Sequence, residues 1–493
     1  MQRFAMGLRL ARLLTLLAVL LPGVEALAGG FHLNLFGTRR TSMLTNVGNP
    51  DDLAALYHNP AGLAAQPGLR LHVSAGTGFM DSDMKLKALP ADRFPAVNAV
   101  DCGEPGKPDC AWPIGTDGYY EKDISPERYT NVIPFLGLSD DLSSIGGPKD
   151  LVVALAAYAP GAYGANLPSD APSAYYITDA LFVIAALTAG AGYKVNDFLS
   201  VGANVSYTYM RLGFSRKLST VDVMTPRGQA PDVPAQYAQL LLGDIMFSYD
   251  GADNGLGWGL GALVTPRSWL SIGASYTGFT SARFNGDVHF KSLGSADVPG
   301  LSEKQLRKVA GDLDYKLPTA LEVEMPVPPS FLVGFSLRPS SWLELGLDLR
   351  LYLYSIYKKQ VLRPSYDAAA KGQEAMTEDS LSSTKNYGNS WAVALGGLVR
   401  PWGPDGPELM SGISFDKSPV PSRSFTIDNP SMDQLAWGLG IRGYVSESIR
   451  LGASYMLIKY LERDIKKSAT WPPTNVRISN YFHIPSVEVE LVF

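Results

Sequence analysis

Between Trp342 and Tyr354 every second residue is a leucine: Leu343, Leu345, Leu347, Leu349, Leu351 and Leu353 alternate with Glu344, Gly346, Asp348, Arg350 and Tyr352. A period of two puts all the leucines on one face of an extended strand. Periodicity alone suits a soluble sheet with that face inside as well as a membrane barrel with it outside. Length separates the two. About eleven residues at ~3.3 Å each, tilted by ~40°, cover about 25 to 28 Å along the membrane normal, the height of a barrel's apolar band. Soluble strands usually stop at about half that. Tyr352 and Tyr354 close the run as an aromatic girdle does, although they share the polar phase and can also face a lumen.

The same grammar recurs in Leu199 to Met210, Leu270 to Tyr276 and Ile449 to Tyr455, with small polar residues on one face. Strands are predicted near 69–79, 127–138, 150–160, 178–194, 198–214, 243–265, 269–290, 317–338, 342–357, 389–400, 409–416, 434–445, 449–460 and 480–493. Their connections alternate long and short, as outer loops and periplasmic turns do. The expected fold is therefore all-β: a fourteen-stranded antiparallel transmembrane β-barrel spanning 69–493. Composition agrees, with 49 glycines and only 18% charged residues in 493. A net charge of −5 without a basic block excludes nucleic acid as an obvious partner, since phosphate binding needs clustered Lys and Arg.

Residues 1–28 read as a signal peptide: Arg3, Arg9 and Arg12, an apolar run from Leu13 to Leu21, and an exit at Ala26-Leu27-Ala28. The alternative, an anchor helix, needs about 20 apolar residues. In the exported chain Cys102 and Cys110, in a Pro/Gly loop, read as a disulfide, with a pair of unlinked thiols as the alternative. The last strand ends Val487-Glu488-Val489-Glu490-Leu491-Val492-Phe493, and its terminal aromatic resembles the signal read by bacterial barrel assembly machinery.

Residues 29–68 are too few for a domain and are placed to fold back into the bore as a hatch. They contain Gly30-Phe31-His32-Leu33-Asn34, then Gly37-Thr38-Arg39-Arg40, Asp51-Asp52 and Tyr57-His58-Asn59-Pro60-Ala61-Gly62-Leu63-Ala64. Together with Asn131-Val132-Ile133-Pro134, Tyr158-Ala159-Pro160-Gly161, Gly164 and Asp416-Lys417-Ser418-Pro419, they make the chain resemble the FadL-type long-chain fatty acid and aromatic hydrocarbon transporters of the Gram-negative outer membrane. The resemblance implies a monomeric barrel closed by a hatch. A hydrophobic solute would be captured outside and released sideways into membrane lipid beside a kinked third strand.

Asn59, Pro60, Ala61 and Gly62 are carried over as hatch and gate residues, packed near the kink. Ala159, Pro160, Gly161 and Gly164 are the expected strand interruption, because proline cannot donate to a ladder and glycine weakens one. The competing reading is that Tyr158 to Gly164 simply begins an outer loop. Lateral exit suits a fatty acid or hydrocarbon, which gains ~0.8 kcal/mol per CH2 by staying in lipid.

Two outer loops carry helical patches, Pro234 to Leu242 and Leu301 to Leu313. With Phe31, the residues Tyr237, Leu240, Leu241, Leu306 and Val309 are candidates for first capture, or they only cap the barrel. Arg350, on the polar face, is a candidate for a carboxylate head. No cofactor or metal motif and no Gly-x-Ser-x-Gly elbow occurs among the five histidines' surroundings, so no enzyme is expected. The Gly438 to Gly443 match to a dinucleotide fingerprint lies inside an alternating strand and lacks the helix such a site needs. Two other readings stand beside uptake: a structural or secretion-associated barrel, and a barrel hydrolase that brings a Ser and a His together.

Overall fold

A computed structural model describes residues 35–94, 97, 112–126, 131–224, 244–294, 302–312, 316–366 and 376–493. Phe31, Cys102, Cys110, Tyr237, Leu240, Leu241 and the signal segment lie outside the described residues, as does the side chain of Val309.

The strand segments are β1 (Arg70–Leu86), β2 (Asn131–Asp140), β3 (Leu151–Asn166), β4 (Asp179–Asn196), β5 (Leu199–Ser219), β6 (Asp244–Arg267), β7 (Leu270–Phe279), β8 (Ala282–Gly294), β9 (Ala320–Met325), β10 (Ser330–Ser340), β11 (Leu343–Tyr352), β12 (Lys359–Ser365), β13 (Ser383–Thr384), β14 (Ser390–Val399), β15 (Glu408–Asp416), β16 (Gln434–Ser446), β17 (Ile449–Ile465) and β18 (Val476–Val492). β6 pairs with both β7 and β8, β7 with β10, β8 with β9, β9 with β12, β11 with β14 and β12 with β13. Four crossings are thus each broken into two segments, and the eighteen segments make fourteen antiparallel crossings. β1 pairs with β18 along its length and closes the cylinder, and the Phe493 amide donates to the Leu69 carbonyl at 2.9 Å beside that seam.

The wall inverts the polarity of a soluble protein. In β11 the leucines face outward, with Leu345, Leu349 and Leu351 each at least 40% exposed, while Glu344, Asp348 and Arg350 are at most 3% exposed. Charged residues fully buried beneath exposed leucines fit only lipid outside and a polar filling inside. In β16, Trp437, Leu439 and Ile441 point out and Arg442 points in, so the formal dinucleotide fingerprint is membrane wall. Tyr352 and Tyr354 are buried and belong to the lumen. Aromatics do ring the short-turn end, at Phe198, Trp269, Trp342, Trp402 and Tyr444.

Residues from Leu35 to Gln66, the segment expected as a hatch, are almost all buried and lie against the wall's glycines. The wall admits them because it is lined with glycine at their level. A Cβ on Gly202 would fall on Pro60, on Gly261 on Asn59, on Gly273 on Val47, on Gly346 on Thr45, on Gly396 and Gly412 on Met43, and on Gly438 on Ser42. These glycines thus have a structural cause: residues 35–66 approach the wall backbone more closely than a wall side chain would allow.

Candidate functional site

Hydrogen bonds between side chains and backbone carbonyls tie the hatch to the wall. Asn59 caps the short 3-10 helix Pro60–Ala65, with Pro60 in the first turn where no N–H is needed. Its Nδ2 donates to Val47 O (3.0 Å) in the hatch and to Ala262 O (3.1 Å) in β6, and its Oδ1 accepts from the Ala61 amide (3.3 Å). Ser275 of β7 donates to His58 O at 2.7 Å, and Asn204 of β5 donates to Leu56 O at 2.5 Å. Ala61 is fully buried, and a Cβ on Gly62 would strike Pro50. The His58 ring meets Phe36 O at 3.2 Å; burial, and then the nearby Arg40 charge, hold its pKa well below the usual histidine range. It is a neutral packing residue.

A chain of charges runs through the same interface. Asp51 lies between Arg442 of β16 (2.7 and 3.0 Å) and Arg39 of the hatch (3.1 Å). Arg39 also pairs with Glu344 of β11, and Arg442 with Glu408 of β15 at 2.7 Å. Burial works to raise the Asp51 pKa, but the two guanidiniums outweigh it and hold the carboxyl far below the ordinary range. Its neighbour Asp52 behaves oppositely: burial, reinforced by the Glu488 charge, pushes it up to about 6. Asp348 accepts from the Asn46 amide at 2.9 Å, while Arg350 donates to Leu44 O (2.8 Å) and Asp348 (3.1 Å). The Arg350 proposed from sequence for a carboxylate head is thus engaged in holding the hatch.

Above this seat the wall is incomplete. β2 pairs with β1 over its length from Asn131 to Ser139, but with β3 only from Phe135–Tyr158 to Asp140–Val153. β3 continues to Asn166, paired with β4 after a register shift between Tyr158 and Gly161. Residues 131–134 of β2 and 159–166 of β3 therefore have no strand partner across the gap between them. Pro134 and Pro160 stand on either side of the last rung, and neither has an N–H to give. Residues 158–164 are all buried, without the in–out alternation of a wall strand. This part of β3 stays in register with β4 while both of its faces are covered. The competing expectation, that Tyr158 begins an outer loop, is not met, because β3 remains a strand to Asn166.

An aromatic cluster forms the foot of the gap. Phe135 and Tyr158 stack at 5.5 Å and 19°, Phe36 lies 5.6 and 5.1 Å from them, and Tyr57 meets Tyr158 edge-on at 5.5 Å. Ala159, Pro160, Gly161 and Gly164, expected from sequence at an interruption, lie in the part of β3 that pairs with β4 and not with β2. The sequence also placed Asn59 to Gly62 near the kink, whereas these residues seat mainly on β4, β5 and β6, and the hatch reaches the kink through Phe36 and Tyr57. The sequence reading missed those two; their only local signal was large aromatic side chains in an otherwise small-residue hatch. Leu306, on the helix Glu303–Asp312, is buried rather than presented outward.

The family model described as outer membrane protein transport protein (OMPP1/FadL/TodX) matches residues 19–484. A long-chain fatty acid transport protein of Escherichia coli O6:H1 is 23% identical over 467 residues, 89% of this chain and 89% of that protein. Among solved structures, a Pseudomonas aeruginosa FadL homologue superposes with a TM-score of 0.73 at 16% identity, covering 94% of this chain and all of the other. The Pseudomonas putida toluene transporter TodX gives 0.62 at 15% identity, covering 93% and 98%. At such identities the structures establish a shared fold.

Proposed function

We propose, from the premise that the chain belongs to the OMPP1/FadL/TodX family of outer membrane transport proteins, that it takes up hydrophobic compounds passively and releases them sideways. Its place is the outer membrane of a Gram-negative bacterium, and its family transports hydrophobic compounds. The solute, a long-chain fatty acid or an aromatic hydrocarbon, is captured by the outer loops and enters the bore above the hatch. It then leaves into lipid between β2 and β3.

One observation carries this reading: the β2–β3 ladder stops at Phe135–Tyr158 while both strands continue. Below that rung the bore is filled by the hatch and crossed by its buried charges, a path hostile to an apolar solute. Beside the rung is a wall without hydrogen bonds across it, open towards the phase the solute prefers. No step makes or breaks a covalent bond. The barrel closes on itself within one chain, which supports a monomer, and the exposed Phe493 at the seam supports recognition by the assembly machinery.

Replacing Pro160 and Gly161 together by threonine and valine supplies an N–H and β-propensity at the interruption. Cells carrying the double variant should lose uptake of labelled fatty acid or hydrocarbon while inserting a normal amount of heat-modifiable barrel. Undiminished uptake would contradict lateral release.

A further inference from the structure

Beside the outer end of β3 is a small crevice of about 40 Å³ inside the barrel. Gly164, Ala165 and Leu167 form one side, and Met80 and Met84 of β1, Ile427 and Ile478 much of the rest. Ser82, Asn429 and Tyr460 add polar groups to these walls, and two further polar atoms in them are unanswered. Asn480 is only 2% exposed, and its Oδ1 has no hydrogen-bond partner among the described residues; nor has Oδ1 of Asp428. Buried polar atoms are almost always paired, so two unpaired acceptors in one crevice are an arrangement that awaits a donor. No Lys, Arg or His is among its described lining residues.

We propose that this crevice is the subsite for the polar end of the transported solute, and that the end it takes is a hydroxyl, as in a phenol or alcohol, rather than a carboxylate. The inference rests on the uptake reading and goes beyond it, adding hydroxyl-ended hydrophobic compounds to the fatty acids and hydrocarbons named there. A hydroxyl brings the proton that the Asp428 carboxylate lacks. A carboxylate brings a charge of the same sign as Asp428, with no cation in the lining to offset it. The volume admits such a terminus and the first carbons behind it, and is well short of the 150 Å³ that accommodates a whole benzene ring. The rest of the solute then lies along the apolar residues of the walls towards the β2–β3 gap, to which Gly164 and Ala165 directly lead. A site built around unpaired acceptors discriminates strongly against analogues without the donor.

The test compares three probes of one shape: p-cresol, toluene and p-toluate. Their equilibrium binding to the purified full-length barrel at pH 8 should rank p-cresol first, toluene at least 10-fold weaker and p-toluate at least 100-fold weaker. Asn480→Leu should bring p-cresol down to the toluene level and leave toluene within 2-fold, whereas Asp428→Asn should chiefly narrow the gap to p-toluate. Heat-modifiable migration confirms that each variant is folded, and the wild-type ranking needs no variant at all. Equal binding of p-cresol and toluene, or p-toluate binding as well as p-cresol, would overturn the subsite while leaving hydrophobic uptake intact. Failure of all three to bind, together with absent uptake in cells, would overturn the uptake reading and this inference with it.

Discussion

Phe135 of β2 and Tyr158 of β3 face each other on the last rung that joins their strands, with ring planes 19° apart and centroids 5.5 Å apart. Above that rung the two strands are not paired to each other; below it, five further residue pairs hold them together. The stacked rings therefore mark the end of β2–β3 pairing, and Phe36 rests on both.

Tyr158→Ala removes one of the stacked rings and one side of the packing against Phe36 and Tyr57. A buried aromatic truncated to alanine costs about 3 to 5 kcal/mol, so the midpoint of urea unfolding in lipid vesicles should fall clearly. Tyr158→Phe keeps the ring and loses the hydroxyl's hydrogen bonds, the one it accepts from Thr188 (2.8 Å) and the one with Ser206, and its midpoint should fall by less than that of Tyr158→Ala.

Gly396 and Gly397 are adjacent in β14 and face opposite ways. A Cβ on Gly396 would land on the Met43 carbonyl, whereas one on Gly397 meets nothing nearer than 3.7 Å. Gly396→Val should unseat the hatch and let a reconstituted barrel pass ions in planar bilayer recordings. Gly397→Val should be as tight as the parent chain. Equal conductance of the two would refute the role given to the glycine lining.

The two hatch aspartates set opposite pH limits. The Asp51 carboxyl is held below its ordinary value of 3.8, so what it contributes is present above about that pH and is lost as pH falls through its lowered pKa. The Asp52 carboxyl is raised to about 6, facing Glu488, His72, Asp51 and Arg442, so its contribution is complete below 3.8 and is lost as pH rises through 6. The hatch should accordingly be most resistant to displacement by denaturant near pH 4. Asp52→Asn should flatten the loss between pH 4 and 6. Asp51→Asn should instead weaken seating throughout, because it leaves Arg39 and Arg442 buried with one partner fewer.

The strand periodicity of Leu343 to Leu353 was legible because a two-residue repeat depends on local chain geometry alone, and the structure places that face outward as the run's length required. The interruption at Pro160 was legible for the same reason, since a missing N–H is a property of the residue. The broken crossings were less so. Pro326, Pro328 and Pro329 separate β9 from β10, yet one continuous strand was expected across them, because a few residues of alternation on both sides outweigh a short break. Which hatch side chain touches the kink was not legible at all. Phe36 reaches Tyr158 across more than a hundred residues of chain, through a path set by the glycine lining and the Asp51–Arg442 and Asp348–Asn46 bonds.

The most direct test is to close the opening reversibly. Continued register from Phe135–Tyr158 would set Val132 opposite Gly161, so Val132→Cys and Gly161→Cys can be bridged by a short reducible bifunctional thiosulfonate, with Cys102 and Cys110 replaced by serine. Uptake of a labelled hydrophobic probe by cells should fall to the level of a deletion strain after bridging and return after reduction. Uptake that continues at the unbridged rate with the bridge in place would mean that the solute leaves by another route.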